Sequence, residues 1–154
     1  MNIFILSLDP KECAEMHVDK HVVKMILEYC QLLCTSHWVL DPESDHTALY
    51  RKTHVNHPCA KWVRESISNY MWLLSLLKCL FVEYEYRYKR VHASKRLLGD
   101  LEIPPDNIPI GRKTPFALAM PDEYKVGTAV DSYIEYYRHG KRHLHSWKFR
   151  EYTL

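Results

Sequence analysis

Apolar residues recur at helical rather than strand spacing over most of this chain. Residues 2–8 form a short apolar run that reads as an extended segment or a lone strand. Asp9 followed by Pro10 has the form of an N-cap and a first helical position, and a long helix is expected from there to about Ser36. At about 100° per residue, His17, Lys20, His21, Lys24, Glu28 and Gln31 fall on one narrow stripe of that helix. The rest of its surface is largely apolar, from Ala14 and Val18 through Val22, Ile26 and Leu33. A helix that is apolar nearly all round is a buried one, so such a stripe faces a cavity, a ligand or a charged neighbour.

Residues 40–57 are polar with mixed turn signals and read as a loop, with one helical turn expected around His46–Tyr50. Asn56-His57-Pro58 repeats the cap-then-proline signal and opens a second long helix to about Arg90. Lys61, Arg64, Glu65, Ser68, Trp72, Ser75, Glu83, Tyr86 and Arg90 make its polar stripe, with Tyr70, Leu73, Leu74, Leu77 and Leu80 opposite. A short helix is expected at Ala93–Leu98, ending at Gly99. Five prolines between 101 and 121 exclude regular helix there and predict an ordered loop over the core. A last helix runs from Val126 or Thr128 to His139, closed by Gly140. The expected fold is all-α: one domain, residues 1–154, built as a compact bundle of two long antiparallel helices with shorter ones around them.

Composition narrows what such a bundle does. With 154 residues and 47% hydrophobic content the chain can bury a real core. A net charge of +2 excludes a general polycation but leaves local basic patches, as in the tail from Arg138 to Arg150. Five Cys without a CxxC pair read as buried free thiols of a reducing compartment. No stretch has the length of a membrane span, and the start lacks the basic segment of a signal peptide, so the chain is read as cytoplasmic.

Ten His and the clustered cations carry the candidate chemistry. Lys24, with Lys20 one turn away, is the candidate nucleophile for a Schiff base with a sugar aldehyde, with His21 beside it. Glu28, one turn further, or Glu65, is placed for proton transfer. The bland alternative is a Lys/His/Glu stripe paired with Glu65 and Glu83 across a helix interface. His17 and His21 have metal-ligand spacing and His54 and His57 form His-x-x-His, but two lysines on the same stripe repel a dication, so no metal is assigned. The start of the second helix offers free N–H groups, and His17, His54, His57, Lys61 and Arg64 are candidate phosphate contacts. Arg87, within the aromatic-basic run Glu83–His92, joins them.

An N-terminal apolar stub, a His-x-Asp-Lys-x-x-x-Lys helix, Asn56-His57-Pro58 with Trp62, and a helix ending Glu-Tyr-x-Tyr-Arg-Tyr resemble small phage and bacterial proteins. Those in turn resemble the endonuclease V-type pyrimidine-dimer DNA glycosylases over residues 1–90 and an aromatic-basic C-terminus. The resemblance implies a compact all-α DNA-repair enzyme that flips a nucleotide and acts through an imine on an amino group. Two parts of that group's machinery do not carry over: its N-terminal Thr is matched by Asn2, and its essential glutamate falls near Lys24. The expectation is therefore a DNA-acting glycosylase or abasic-site lyase using a lysine, with DNA or a phosphorylated nucleotide as partner and no cofactor. A non-catalytic binder that sequesters a phosphorylated nucleotide, and a scaffold whose stripes are structural ion networks, are the alternatives. The oligomeric state stays open.

Overall fold

In a computed structural model, which describes residues 1–152 and 154, all regular structure among the described residues is helical. Each long helix expected from the periodicity is two helices. The first divides into α1 (Pro10–Met16) and α2 (Asp19–Leu40), and the second into α3 (Pro58–Glu65) and α4 (Ile67–Tyr88). α5 (Leu98–Leu101) and α6 (Ala129–Glu135) follow, the latter continued by a π-helical turn at Tyr136–Gly140. The start expected at Asp9-Pro10 is present: the Asp9 carboxylate accepts from the Glu12 N–H. His57 likewise caps α3, its Nδ1 accepting from the Cys59 N–H at 3.0 Å.

The first break falls at His17 and Val18, where the backbone is extended and no Gly or Pro intervenes. Tertiary partners take the backbone groups that an unbroken helix would have paired. The Arg87 guanidinium, fully buried, donates to the carbonyls of Glu15 and His17, each at 2.7 Å. Trp147 Nε1 donates to Met16 O at 2.8 Å. On the other side the Val18 N–H meets the Tyr137 hydroxyl and the Asp19 N–H meets Ser146 O. Arg87 also donates to the carboxylates of Asp19 at 3.0 Å and Glu83 at 2.9 Å. This corrects the expectation that Arg87 holds a phosphate: its donors are consumed within the protein.

The second break has a local signal. Ser66 is extended, and its hydroxyl accepts from the Asn69 N–H, the N-cap arrangement that starts α4. The proline-rich segment pins it, with Pro109 O accepting from the Ile67 N–H and the Asn69 amide bonding both Trp62 O and Thr114. That segment is an ordered strap, as its composition predicts.

α4 lies against α1 and α2. Its C-terminal Tyr88 donates to Asp19 O at the start of α2, and Tyr70 near its N-terminus meets His37 near the end of α2. Asn2–Leu6 is non-helical and runs through the core, every residue buried. Burying Ile3, Phe4, Ile5 and Leu6 contributes about 1.5–3 kcal/mol each as an upper estimate.

Burial pushes the Glu83 carboxyl upward, but hydrogen bonds from Arg150 and Arg87 outweigh it and hold the group below the usual carboxylate range. Arg87→Met removes four donated bonds and leaves the Glu83 charge short of a partner. Denaturant midpoints should show a loss of about 3–5 kcal/mol. A midpoint unchanged from wild type would show that the break closes by other means.

Candidate functional site

The break changes which stripe residues meet. With α1 and α2 out of phase, His17 turns into the core while His21, Lys24 and Glu28 line a cavity of about 400 Å³. Met1, Asn2 and Phe4 of the N-terminal run form one wall, and Ala119–Pro121 of the strap form another. His57, Tyr136 and Lys141 complete it. Gly140 is required beside this wall, since a Cβ there would lie 2.6 Å from the Tyr136 ring.

Glu28 is the one carboxylate among the lining residues. Its Oε1 lies 3.4 Å from the amino group of Met1, and the Met1 and Glu28 side chains are 2% and 13% exposed. Lys24 and Lys141 add two ammonium groups. Lys24 is solvent-exposed at the cavity and does not sit in the apolar pocket expected of it. Lys20 is exposed and does not line the cavity. His54 is exposed and bonded to the Thr53 hydroxyl, and neither Lys61 nor Arg64 reaches the lining. Of the six residues expected to hold phosphate, only His57 is at the cavity.

Two buried Tyr–His chains set the histidine tautomers. In the first, the Phe4 N–H donates to the Tyr29 hydroxyl oxygen, and His17 Nε2 lies 2.8 Å from the same oxygen. His17 Nδ1 lies 2.7 Å from the Cys13 carbonyl, which only accepts, so Nδ1 carries the proton and Nε2 takes the Tyr29 proton. Every polar atom of that chain is used. His17 is therefore structural, which corrects its assignment as a ligand contact.

In the second chain the Val18 N–H donates to the Tyr137 oxygen at 3.2 Å, and His21 Nδ1 lies 2.7 Å from that oxygen. Tyr137 is fully buried, and its hydroxyl proton has one acceptor within reach, His21 Nδ1. The His21 proton is then on Nε2. Burial, with the nearby charges of His17, Lys141, Lys24 and His143, pushes His21 down to about 3. Burial above all pushes His17 down to about 4, and it lowers His57 as well, aided by the Met1 amine and His54. The cavity thus sets ammonium groups and neutral imidazoles around one carboxylate.

The N-terminal amine, Lys141 and the two tyrosines were not among the expected site residues. The only signals for them were the apolar run at residues 2–8, the basic tail and an excess of tyrosine. A larger cavity, about 710 Å³, lies between Leu6–Leu8 and Pro115–Leu118, but it is mainly apolar, with Glu12 as its one charged side chain. Among the described residues no set of three His, Cys, Asp or Glu side chains converges as metal ligands. Among the described residues no helix is long and apolar enough to cross a membrane. No protein-family model, no curated protein and no solved structure matches the chain.

The lowered histidines make the fold acid-sensitive in a defined window. Unfolded His17 and His21 take up protons near pH 6.5, whereas the folded ones resist down to about 4 and about 3. Their contribution is therefore complete above pH 6.5 and is lost progressively as pH falls below it. Urea midpoints should drop by several kcal/mol between about pH 6.5 and 4, and His17→Gln should flatten part of that slope. Equal slopes in the two proteins would contradict the assignment.

Proposed function

We propose that this chain acts on DNA through an amine, as an abasic-site lyase or glycosylase whose reactive centre is the cavity between α2 and the N-terminal run. The observation that carries this reading is the pairing of the Met1 amine with Glu28, beside Lys24, in a cavity of about 400 Å³. The stripe expectation made Lys24 the nucleophile, with Lys20 second. The pairing with Glu28 favours the Met1 amine, which has a carboxylate at 3.4 Å, whereas among the described residues Lys24 pairs with none.

An ammonium must lose a proton before it attacks, and Glu28 is the nearest carboxylate to receive it. The free amine then adds to C1′ of an open abasic sugar, and loss of water gives the imine. Lys24 and Lys141 are positioned to hold the flanking phosphates, and Tyr136 offers an aromatic wall. The excess of cations over carboxylates also suits the second reading, a binder that sequesters a phosphorylated nucleotide without changing it.

Borohydride trapping on abasic-site DNA tests this. The wild-type protein should give a covalent adduct, and peptide mapping should place it on the N-terminal peptide. Glu28→Gln should lower the trapping rate by about 10²–10⁴-fold, while Lys24→Ala should keep the adduct. An adduct on the Lys24 peptide, lost in Lys24→Ala, returns the role to the lysine. No adduct from a folded protein, with mononucleotides bound and recovered unchanged, replaces catalysis with sequestration.

A further inference from the structure

The two Tyr–His chains are built alike but end differently. Each begins at a backbone N–H, passes through a tyrosine hydroxyl and reaches an imidazole. The His17 chain closes on a carbonyl, Cys13 O. The His21 chain has no such end: its Nε2 has no partner among the described residues, although the residue is only 5% exposed and lines the cavity. The ring is held against Phe4, stacked at 4.3 Å, and Tyr137 occupies its other nitrogen, so it has little freedom to turn toward a protein acceptor. That nitrogen is not sealed from solvent but opens to the cavity, so its acceptor comes from whatever occupies the cavity.

We infer that His21 Nε2–H is the fixed donor of a phosphate subsite, held in that tautomer by Tyr137, and that an anionic phosphoryl oxygen of the bound nucleotide is its missing acceptor. This rests on reading the cavity as a site for a phosphorylated sugar, and it adds which side chain reads the phosphate and in which protonation state. The titratable groups facing His21 include two ammonium groups, Lys24 and Lys141, which favour an anion there. Lys24 lies on its own helix, Lys141 and His143 come from the tail, and His17 lies across the break. The Met1 amine and His57 stand across the cavity. The only opposing charge at the cavity, Glu28, is paired with the Met1 amine. His57 is set up the same way, since its Nδ1 accepts from the Cys59 N–H and leaves its proton on Nε2. Such a donor works without being protonated, unlike an ordinary histidine anion site, whose grip grows as pH falls through 6.5.

The test is binding of duplex DNA carrying a tetrahydrofuran abasic analogue, followed by fluorescence anisotropy at constant salt from about pH 5.5 to 8. The analogue has no aldehyde, so binding is read apart from imine formation. His21→Leu, which removes the donor, should weaken binding by about 10–100-fold, the worth of one hydrogen bond to a charged group. His21→Gln, whose amide places an N–H near the Nε2 position, should stay within about threefold of wild type. The ratio of wild-type to His21→Leu affinity should be flat across this pH range. In folded Tyr137→Phe, where Nδ1 is no longer occupied, the same ratio should climb as pH falls.

A ratio of one at every pH would overturn the subsite, and so would a wild-type ratio that climbs below pH 6.5. If the wild-type ratio behaves as expected but borohydride traps nothing, the subsite stands and the amine reading falls. If trapping succeeds while His21→Leu binds like wild type, the reverse holds.

Discussion

Arg87 holds the molecule in the arrangement from which everything else follows. Its guanidinium is sealed from solvent and takes acceptors from both sides of the α1–α2 break and from its own helix. A cation in that position is costly to desolvate, and only the completeness of its bonding makes it tolerable. Its role is geometric. By occupying the carbonyls of Glu15 and His17 it stops α1 from running into α2, and this turns His17 inward and leaves His21 on the cavity wall. Arg150 supports the arrangement from the tail, bonding Glu83 with two nitrogens.

The same break explains the contrast between the two histidines. They are four residues apart, and in a continuous helix they would share a face and an environment. Here each receives its own tyrosine, Tyr29 from α2 and Tyr137 from the π-helical turn. One chain is satisfied within the fold and stiffens the N-terminal run through Phe4. The other reaches the cavity with a donor to spare.

The hydrophobic periodicity made the helical class, the two proline-led helix starts and the ordered strap legible, because each rests on local chemistry: a capping side chain, a proline at the first turn, or a run of prolines. The break at His17–Val18 was not legible. Its cause lies about 70 residues away in Arg87 and at the far end of the chain in Ser146 and Trp147, and no local residue marks it. An unbroken helix would set His17 beside His21 and Lys20 at the site. Arg87 reads as a phosphate contact because a fully paired buried arginine has the same letter as a free one. His21, Lys24 and Glu28 were grouped correctly because all three lie on α2 after the break, where the spacing rule holds. The Met1 amine is not legible because a main-chain amine has no side-chain signature.

The tail ties the fold to the cavity. Between Tyr137 and Lys148 it supplies the hydroxyl that orients His21, the Lys141 ammonium, the Ser146 carbonyl that receives the Asp19 N–H, and the N–H that bonds the Asp19 carboxylate. The groups that close the break and the groups that complete the cavity therefore dock as one segment. An intermediate with α2 and α4 packed but the tail undocked would lack the second Tyr–His chain and one cavity ammonium. It would also leave the Val18 and Asp19 N–H groups without partners. The break is costly without the tail, and the cavity is incomplete without it, so docking of the tail closes the break and completes the wall of the site together.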